Sequence, residues 1–91
     1  MEITGKIIAV LPVRSGISQR TGNSWQMQEY VIEAQGEYPK RCVFTVFGEE
    51  LINRLSITEG GIYTVTIEIN AREYNGKYYN DIRAIDAVEL L

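Results

Sequence analysis

A small all-β barrel of five strands, with one short helix between the third and fourth, is the fold this sequence predicts. Three observations predict it. Asn75-Gly76 sits between two strand-like runs, 62–74 and 77–90. Asn-Gly is the strongest short-range hairpin signal, because both residues tolerate the positive φ of a type I′ turn. Three further β-rich runs, 2–11, 25–34 and 40–48, are bounded by glycine, proline and small polar residues. Only 49–57 offers an apolar stripe at helical spacing.

The first strand, 2–11, contains Gly5, which marks a bulge or a tight bend of the kind found at a barrel corner. Residues 12–24 read as loop, with one proline, two glycines and several small polar residues. Arg14 and Arg20 lie there without an acidic neighbour, on what is either a solvated surface loop or a binding loop. In the second strand Tyr30, Ile32 and Ala34 form the core face, so Trp25, Met27, Glu29, Val31 and Glu33 look outward. Trp25, the sole tryptophan, either closes the barrel end or offers a stacking face, and Glu29 and Glu33 repel phosphate.

Residues 35–39 turn the chain. In the third strand Cys42, Phe44 and Val46 fit the interior, and Arg41, Val43, Thr45 and Phe47 the other face. Cys42 reads as a small buried hydrophobe, since no histidine exists to activate it. The helix places Leu51, Ile52 and Leu55 on one face, with Glu49 and Glu50 suiting the positive end of its dipole, and Glu59-Gly60-Gly61 breaks it.

The Asn75-Gly76 turn sets the register of the last hairpin. Tyr74 faces Lys77, Arg72 faces Tyr79, Asn70 faces Asp81 and Glu68 faces Arg83 on one face. Glu73 faces Tyr78, Ala71 faces Asn80, Ile69 faces Ile82 and Ile67 faces Ala84 on the other, which becomes apolar towards the base and enters the core there. The first face, basic and aromatic, suits gripping a ligand. Glu68 with Arg83 reads as a surface ion pair of little energetic weight.

Length and composition narrow the function. The 91 residues make one domain, 1–91, able to build a core without staples, and 45 % apolar content argues against disorder. One cysteine excludes an intrachain disulfide and a cysteine zinc cluster. No histidine is present, which removes the commonest general base and metal ligand. Glu59-Gly60-Gly61 lacks the lysine and the spacing of a phosphate loop. No enzyme activity, no metal and no cofactor are therefore expected. No stretch approaches the roughly 18 apolar residues of a membrane span, and the N-terminus lacks a signal peptide's basic start and apolar centre. A soluble, cytoplasmic protein with no membrane partner is expected. The net charge of −3 counts against a nucleic acid partner unless one face is locally basic.

Three strands, a helix and two strands is the order of the OB-fold, a partly open five-stranded Greek-key barrel whose helix plugs the bottom. An SH3-like barrel, the alternative, usually lacks a helix at that point.

Val43-Phe44-Thr45-Val46-Phe47-Gly48 followed by Glu49-Glu50-Leu51 resembles the bacterial single-stranded DNA-binding protein family, in which an apolar strand ends in Phe-Gly before a short helix. The Glu59-Gly60-Gly61 turn, the strand 62–68 and the hairpin residues Asn70-Ala71-Arg72-Glu73-Tyr74 continue the likeness over roughly 40–90. The resemblance implies that Phe47 stacks a base. Arg41 stands where those proteins often place a tryptophan, so one stacking platform is missing, while Trp25 lies near another. The acidic C-terminal tail that recruits partner proteins in that family is absent, which is more like the small primosomal OB-fold proteins. The whole chain also resembles a bacterial family of short proteins known as a domain of unknown function. That family shares an opening like Met1-Glu2-Ile3-Thr4-Gly5-Lys6, a middle like Trp25-Gln26-Met27-Gln28-Glu29-Tyr30, and a hairpin like Arg72-Glu73-Tyr74-Asn75-Gly76-Lys77-Tyr78-Tyr79.

Two functions follow. The first is non-catalytic binding of single-stranded nucleic acid, DNA foremost, in replication, repair or mobile-element biology. Its groove would run along the outer faces of the second and third strands, between the first loop and the hairpin. Trp25, Phe47, Tyr74 and Tyr79 are the candidate stackers, and Arg14, Arg20, Lys40, Arg41, Arg72 and Lys77 the candidate phosphate contacts. For the tyrosines, the competing reading is cross-strand packing, with Arg72 over Tyr79 as a cation–π pair. The second function is a protein-interaction or oligomerisation module, a homodimer or homotetramer in which the first strand, with Ile7, Ile8, Val10 and Leu11, pairs with its twin. Salt separates the two, because phosphate binding weakens steeply with ionic strength and an apolar interface does not.

Overall fold

The computed structural model describes residues 1–90; Leu91, the last residue of the expected domain, lies outside the described residues. Six strands and one helix follow in the order β1 (Glu2–Val10), β2 (Arg14–Ile17), β3 (Ser24–Ala34), β4 (Lys40–Phe47), α1 (Glu49–Leu55), β5 (Ile62–Tyr74) and β6 (Lys77–Glu89). They form one sheet in the order β1-β5-β6-β4-β3-β2, and β1 pairs with β3 as well. That extra pairing and a parallel bridge between Thr45 of β4 and Arg83 of β6 close the sheet into an OB-type barrel.

Gly5 lies at the closure. It pairs with Tyr63 of β5 on one side and with Ala34 of β3 on the other. A Cβ at this position would run into the Glu33 carbonyl, so only glycine lets the three backbones approach. The expected corner is therefore present, and the bulge itself falls between Ile7 and Ala9.

Residues 14–17 correct the expectation of a continuous loop over 12–24. They form β2, an edge strand paired with Ser24–Met27 of β3, so the sheet has six strands rather than five. Arg14-Ser15-Gly16-Ile17 carries almost no strand signal of its own. Its pairing is supported from across the ladder, where the Trp25 indole lies against Gly16 in the space a side chain would fill. An aromatic laid over an edge glycine shields backbone that would otherwise be left open.

The helix is shorter than the expected 49–57. It stops at Leu55, where Ser56 adopts the left-handed conformation, φ 46° and ψ 47°, and its N–H bonds to the Ile52 carbonyl at 3.1 Å. Leu51, Ile52 and Leu55 pack against the core.

The core is built from alternate positions, as the strand period requires: Tyr30 and Ile32 of β3, Phe44 and Val46 of β4, Tyr63, Val65 and Ile67 of β5, with Ile7 and Ala84. Tyr30 and Phe44 are direct cross-strand partners and stack with ring centroids 5.2 Å apart. The Tyr30 hydroxyl donates to Gln28 Oε1 at 2.7 Å, and Gln28 Nε2 donates to the Leu11 carbonyl at 2.8 Å. Burial, reinforced by Tyr63, raises the Tyr30 pKa, which favours the protonated, donating phenol.

The last hairpin has the register set by its turn. Asn75 and Gly76 have φ of 52° and 78°, and the pairs run from Tyr74–Lys77 through Arg72–Tyr79, Asn70–Asp81 and Glu68–Arg83 to Ile67–Ala84. Ile67 and Ala84 are buried at its base, while the residues beyond Ile69 project from the barrel. No helix is long and apolar enough to cross a membrane among the described residues.

Candidate functional site

β4 runs through the middle of the sheet with β3 on one side and β6 on the other. Phe44 and Val46 point inward, so Thr45 and Phe47 point outward by strand alternation. Phe47 ends the strand just before Gly48, whose φ of 94° turns the chain into α1. Phe47 is 40 % exposed, whereas Phe44 on the inner face is fully buried.

A groove of about 440 Å³ opens over this end of the sheet. Phe47 and Thr45 supply its floor, Met27 and Glu29 of β3 one wall, and Asp81, Ile82 and Arg83 of β6 the other. Arg14 reaches in from β2 and Arg72 from β5. Three guanidiniums therefore face two carboxylates, a local balance of +1 on a chain whose net charge is −3.

The three arginines are held differently. Arg72 Nε lies 2.9 and 3.1 Å from the two carboxylate oxygens of Asp81, and its guanidinium sits 5.4 Å from the centre of the Tyr79 ring. Arg14 is only loosely paired, with Nη1 4.0 Å from Glu29 Oε1. Arg83 has no carboxylate partner among the described residues. Its guanidinium lies 4.2 Å from the centre of the Phe47 ring, a close cation–π contact. Expected to pair with Glu68, Arg83 turns to Phe47 instead, because the bridge to Thr45 brings β6 alongside β4.

Of the ten residues expected at a site, the groove brings together Phe47, Arg14 and Arg72. Tyr79 stands behind Arg72 as its cation–π partner, the packing role weighed for it. Trp25 lies two residues from Met27 on the outward face of β3, over Gly16, and is 40 % exposed, outside the groove lining. Tyr74 and Lys77 face each other beside the hairpin turn, away from the groove lining. Arg20 lies in the turn between β2 and β3. Lys40 and Arg41 begin β4, six or more residues from Phe47, which is about 20 Å along an extended strand. Arg41 is also bonded to Glu33, Nε to Oε2 at 3.0 Å. Arg83, set opposite Glu68 by the hairpin register, is a groove cation outside the ten expected residues. Its signal was its place on the hairpin face that carries Arg72, Tyr79 and Asp81.

Cys42 packs against the core, and burial raises its pKa, so the thiolate a nucleophile needs is disfavoured. Among the described residues no group of three or more cysteine, aspartate and glutamate side chains is placed to hold a metal ion.

The family described as "Domain of unknown function (DUF3127)" matches residues 2–87. No curated protein matches in sequence. Among solved structures, the fold is similar to Rim1, a mitochondrial single-stranded DNA binding protein from S. cerevisiae, with a TM-score of 0.74 and 22 % identity over 99 % of this chain and 92 % of that one. It is also similar to the N-terminal domain of PriB from Thermoanaerobacter tencongensis, solved as a dimer, with a TM-score of 0.69 and 14 % identity over 100 % of this chain and 94 % of that one. A third is a small single-stranded DNA-binding protein from Streptomyces coelicolor, with a TM-score of 0.53 and 9 % identity over 100 % and 93 % of the two chains. At such identities the likeness shows the OB-type fold.

Proposed function

This chain belongs to the DUF3127 family, and we propose that it binds single-stranded nucleic acid, DNA foremost, without catalysis. The observation that carries the reading is the Phe47–Arg83 pair in the groove: an exposed aromatic face beside a guanidinium free of any carboxylate among the described residues. A base stacks on such a ring whatever its identity, and the guanidinium takes the phosphate next to it. Arg14 and Arg72 extend the positive track on either side, and Trp25 prolongs the stacking surface along β3. Rim1 and the Streptomyces coelicolor protein, both similar in fold, are single-stranded DNA binders by name.

Salt tests the reading. At most three arginines meet phosphate, and two of them already have carboxylate partners in the free protein. The affinity for a labelled single-stranded thymine oligonucleotide should fall by no more than roughly 20-fold between 50 and 200 mM salt, from a slope of about −0.7 per phosphate contact. Fluorescence anisotropy measures it. No binding at low salt, or binding indifferent to salt, sinks the nucleic-acid reading.

Self-association is a second reading, compatible with the first. Beyond Ile7, β1 pairs with β3 alone, so the stretch from Ile8 to Val10 keeps one open backbone edge. A homodimer or homotetramer built on that edge should persist in high salt. Light scattering on the eluting protein checks this, and a mass of one chain at high concentration rules it out.

A further inference from the structure

We propose that the groove favours guanine and that Glu29 is the residue that selects it; this rests on the nucleic-acid reading above. A carboxylate in a phosphate-binding groove is costly unless the ligand also brings hydrogen-bond donors. The groove holds two, and their distances separate their roles. Asp81 has both oxygens engaged by Arg72 Nε, at 2.9 and 3.1 Å. Glu29 has a single partner at 4.0 Å, beyond hydrogen-bond length, and its side chain remains one-third exposed. Glu29 is therefore the acceptor left open.

Its position suits base recognition. Phe47 faces Met27 across the β3–β4 ladder and Thr45 faces Glu29, so Phe47 and Glu29 are diagonal neighbours on the outer face of the sheet. Such neighbours lie roughly 7–8 Å apart. Arg83 lies over the Phe47 ring from β6, and Met27, its direct cross-strand partner, flanks it on the β3 side, so a base on the ring's remaining surface extends over Met27. A purine stacked there directs one edge at Glu29.

The chemistry then chooses the base. An ionised carboxylate only accepts, and it accepts best from two parallel N–H groups. Guanine presents N1–H and the N2 amino group side by side on its Watson–Crick edge. Thymine has one donor, flanked by carbonyls. Adenine and cytosine each set one amino group beside a ring nitrogen lone pair that the carboxylate repels.

The test compares, by fluorescence anisotropy with the intact protein, a thymine oligonucleotide, the same oligonucleotide with one central deoxyguanosine, and one with deoxyinosine, which lacks the N2 amino group. The guanine-bearing strand should bind about tenfold tighter than the thymine strand, the scale of one good bidentate contact. Inosine should lose most of that gain. In Glu29→Gln, whose amide offers one acceptor and one donor, the ratio of guanine to thymine affinity should collapse towards one. Equal affinities for the three strands overturn the inference and leave the nucleic-acid reading standing. A guanine preference that survives in Glu29→Gln, with the variant's melting transition intact, overturns the assignment to Glu29. Failure of every strand to bind overturns both. The inosine strand needs no variant, so a poorly folding Glu29→Gln leaves the test decisive.

Discussion

Replacing Phe47 by alanine is expected to weaken binding of a single-stranded thymine oligonucleotide by roughly 5- to 150-fold, the range of about 1–3 kcal/mol measured for loss of one stacking side chain. The upper part of that range is favoured because the ring has two tasks. It offers a face to a base, and it orients Arg83, whose guanidinium lies 4.2 Å from its centre. Without the ring, Arg83 regains its rotamers and must be ordered again when ligand binds. Arg83→Ala should therefore cost less in a Phe47→Ala background than in the wild type, and a double-mutant cycle by anisotropy reads the difference. Phe47→Trp preserves a stacking surface and should retain most of the affinity. Phe47 is 40 % exposed, so the alanine variant should lose roughly 1–2 kcal/mol, less than a core truncation, and remain folded. A folded Phe47→Ala protein that binds within twofold of the wild type removes the ring from the interface.

Phe44→Ala, three residues away on the opposite face of the same strand, should behave in the reverse way. Phe44 is fully buried and stacks on Tyr30 at the centre of the barrel. Its truncation leaves a cavity among side chains held by closed ladders, which limits collapse, and the expected loss is about 3–5 kcal/mol. Small domains have roughly 5–15 kcal/mol in total. The melting temperature should therefore fall by roughly 12 °C or more, read by circular dichroism, since about 4–8 °C accompanies each kcal/mol at this size. Tyr30→Phe supplies the contrast. It keeps the stack but deprives Gln28 Oε1 of its donor, a loss of about 1 kcal/mol. If Phe44→Ala melts no lower than Tyr30→Phe, the aromatic stack is not the centre of the core.

Phe44 and Phe47 take opposite roles because β4 alternates, and that alternation is legible in Lys40-Arg41-Cys42-Val43-Phe44-Thr45-Val46-Phe47 itself. The hairpin register is legible for a similar reason. Asn75 and Gly76 encode a two-residue turn between neighbours in the chain, and every pair from Tyr74–Lys77 to Ile67–Ala84 follows by counting. Gly5 announced a corner, since only a close backbone approach needs a glycine within an apolar strand.

Residues 14–17 were not legible as a strand. Their pairing depends on Trp25 covering Gly16 from the next strand, a contact that no propensity of Arg14-Ser15-Gly16-Ile17 expresses. Lys40 and Arg41 suit a basic groove by charge alone, but the direction of β4 carries them to its far end, and Glu33 pairs with Arg41. Arg83 looked like a partner for Glu68 because antiparallel register sets the two face to face. Only barrel closure, which joins Thr45 to Arg83 through a parallel bridge between strands separated by the helix and β5, turns it onto Phe47.

Which residues form strands over most of the chain, which face of each strand is apolar and where the last hairpin turns are all legible in the order of the amino acids. These depend on side-chain period and on the φ preferences of a few residues, all local quantities. Which charges share a groove, which of them are already paired and which guanidinium lies on the Phe47 ring follow from the folded barrel. Those depend on distances between segments far apart in the chain, and such distances come into existence only when the barrel closes.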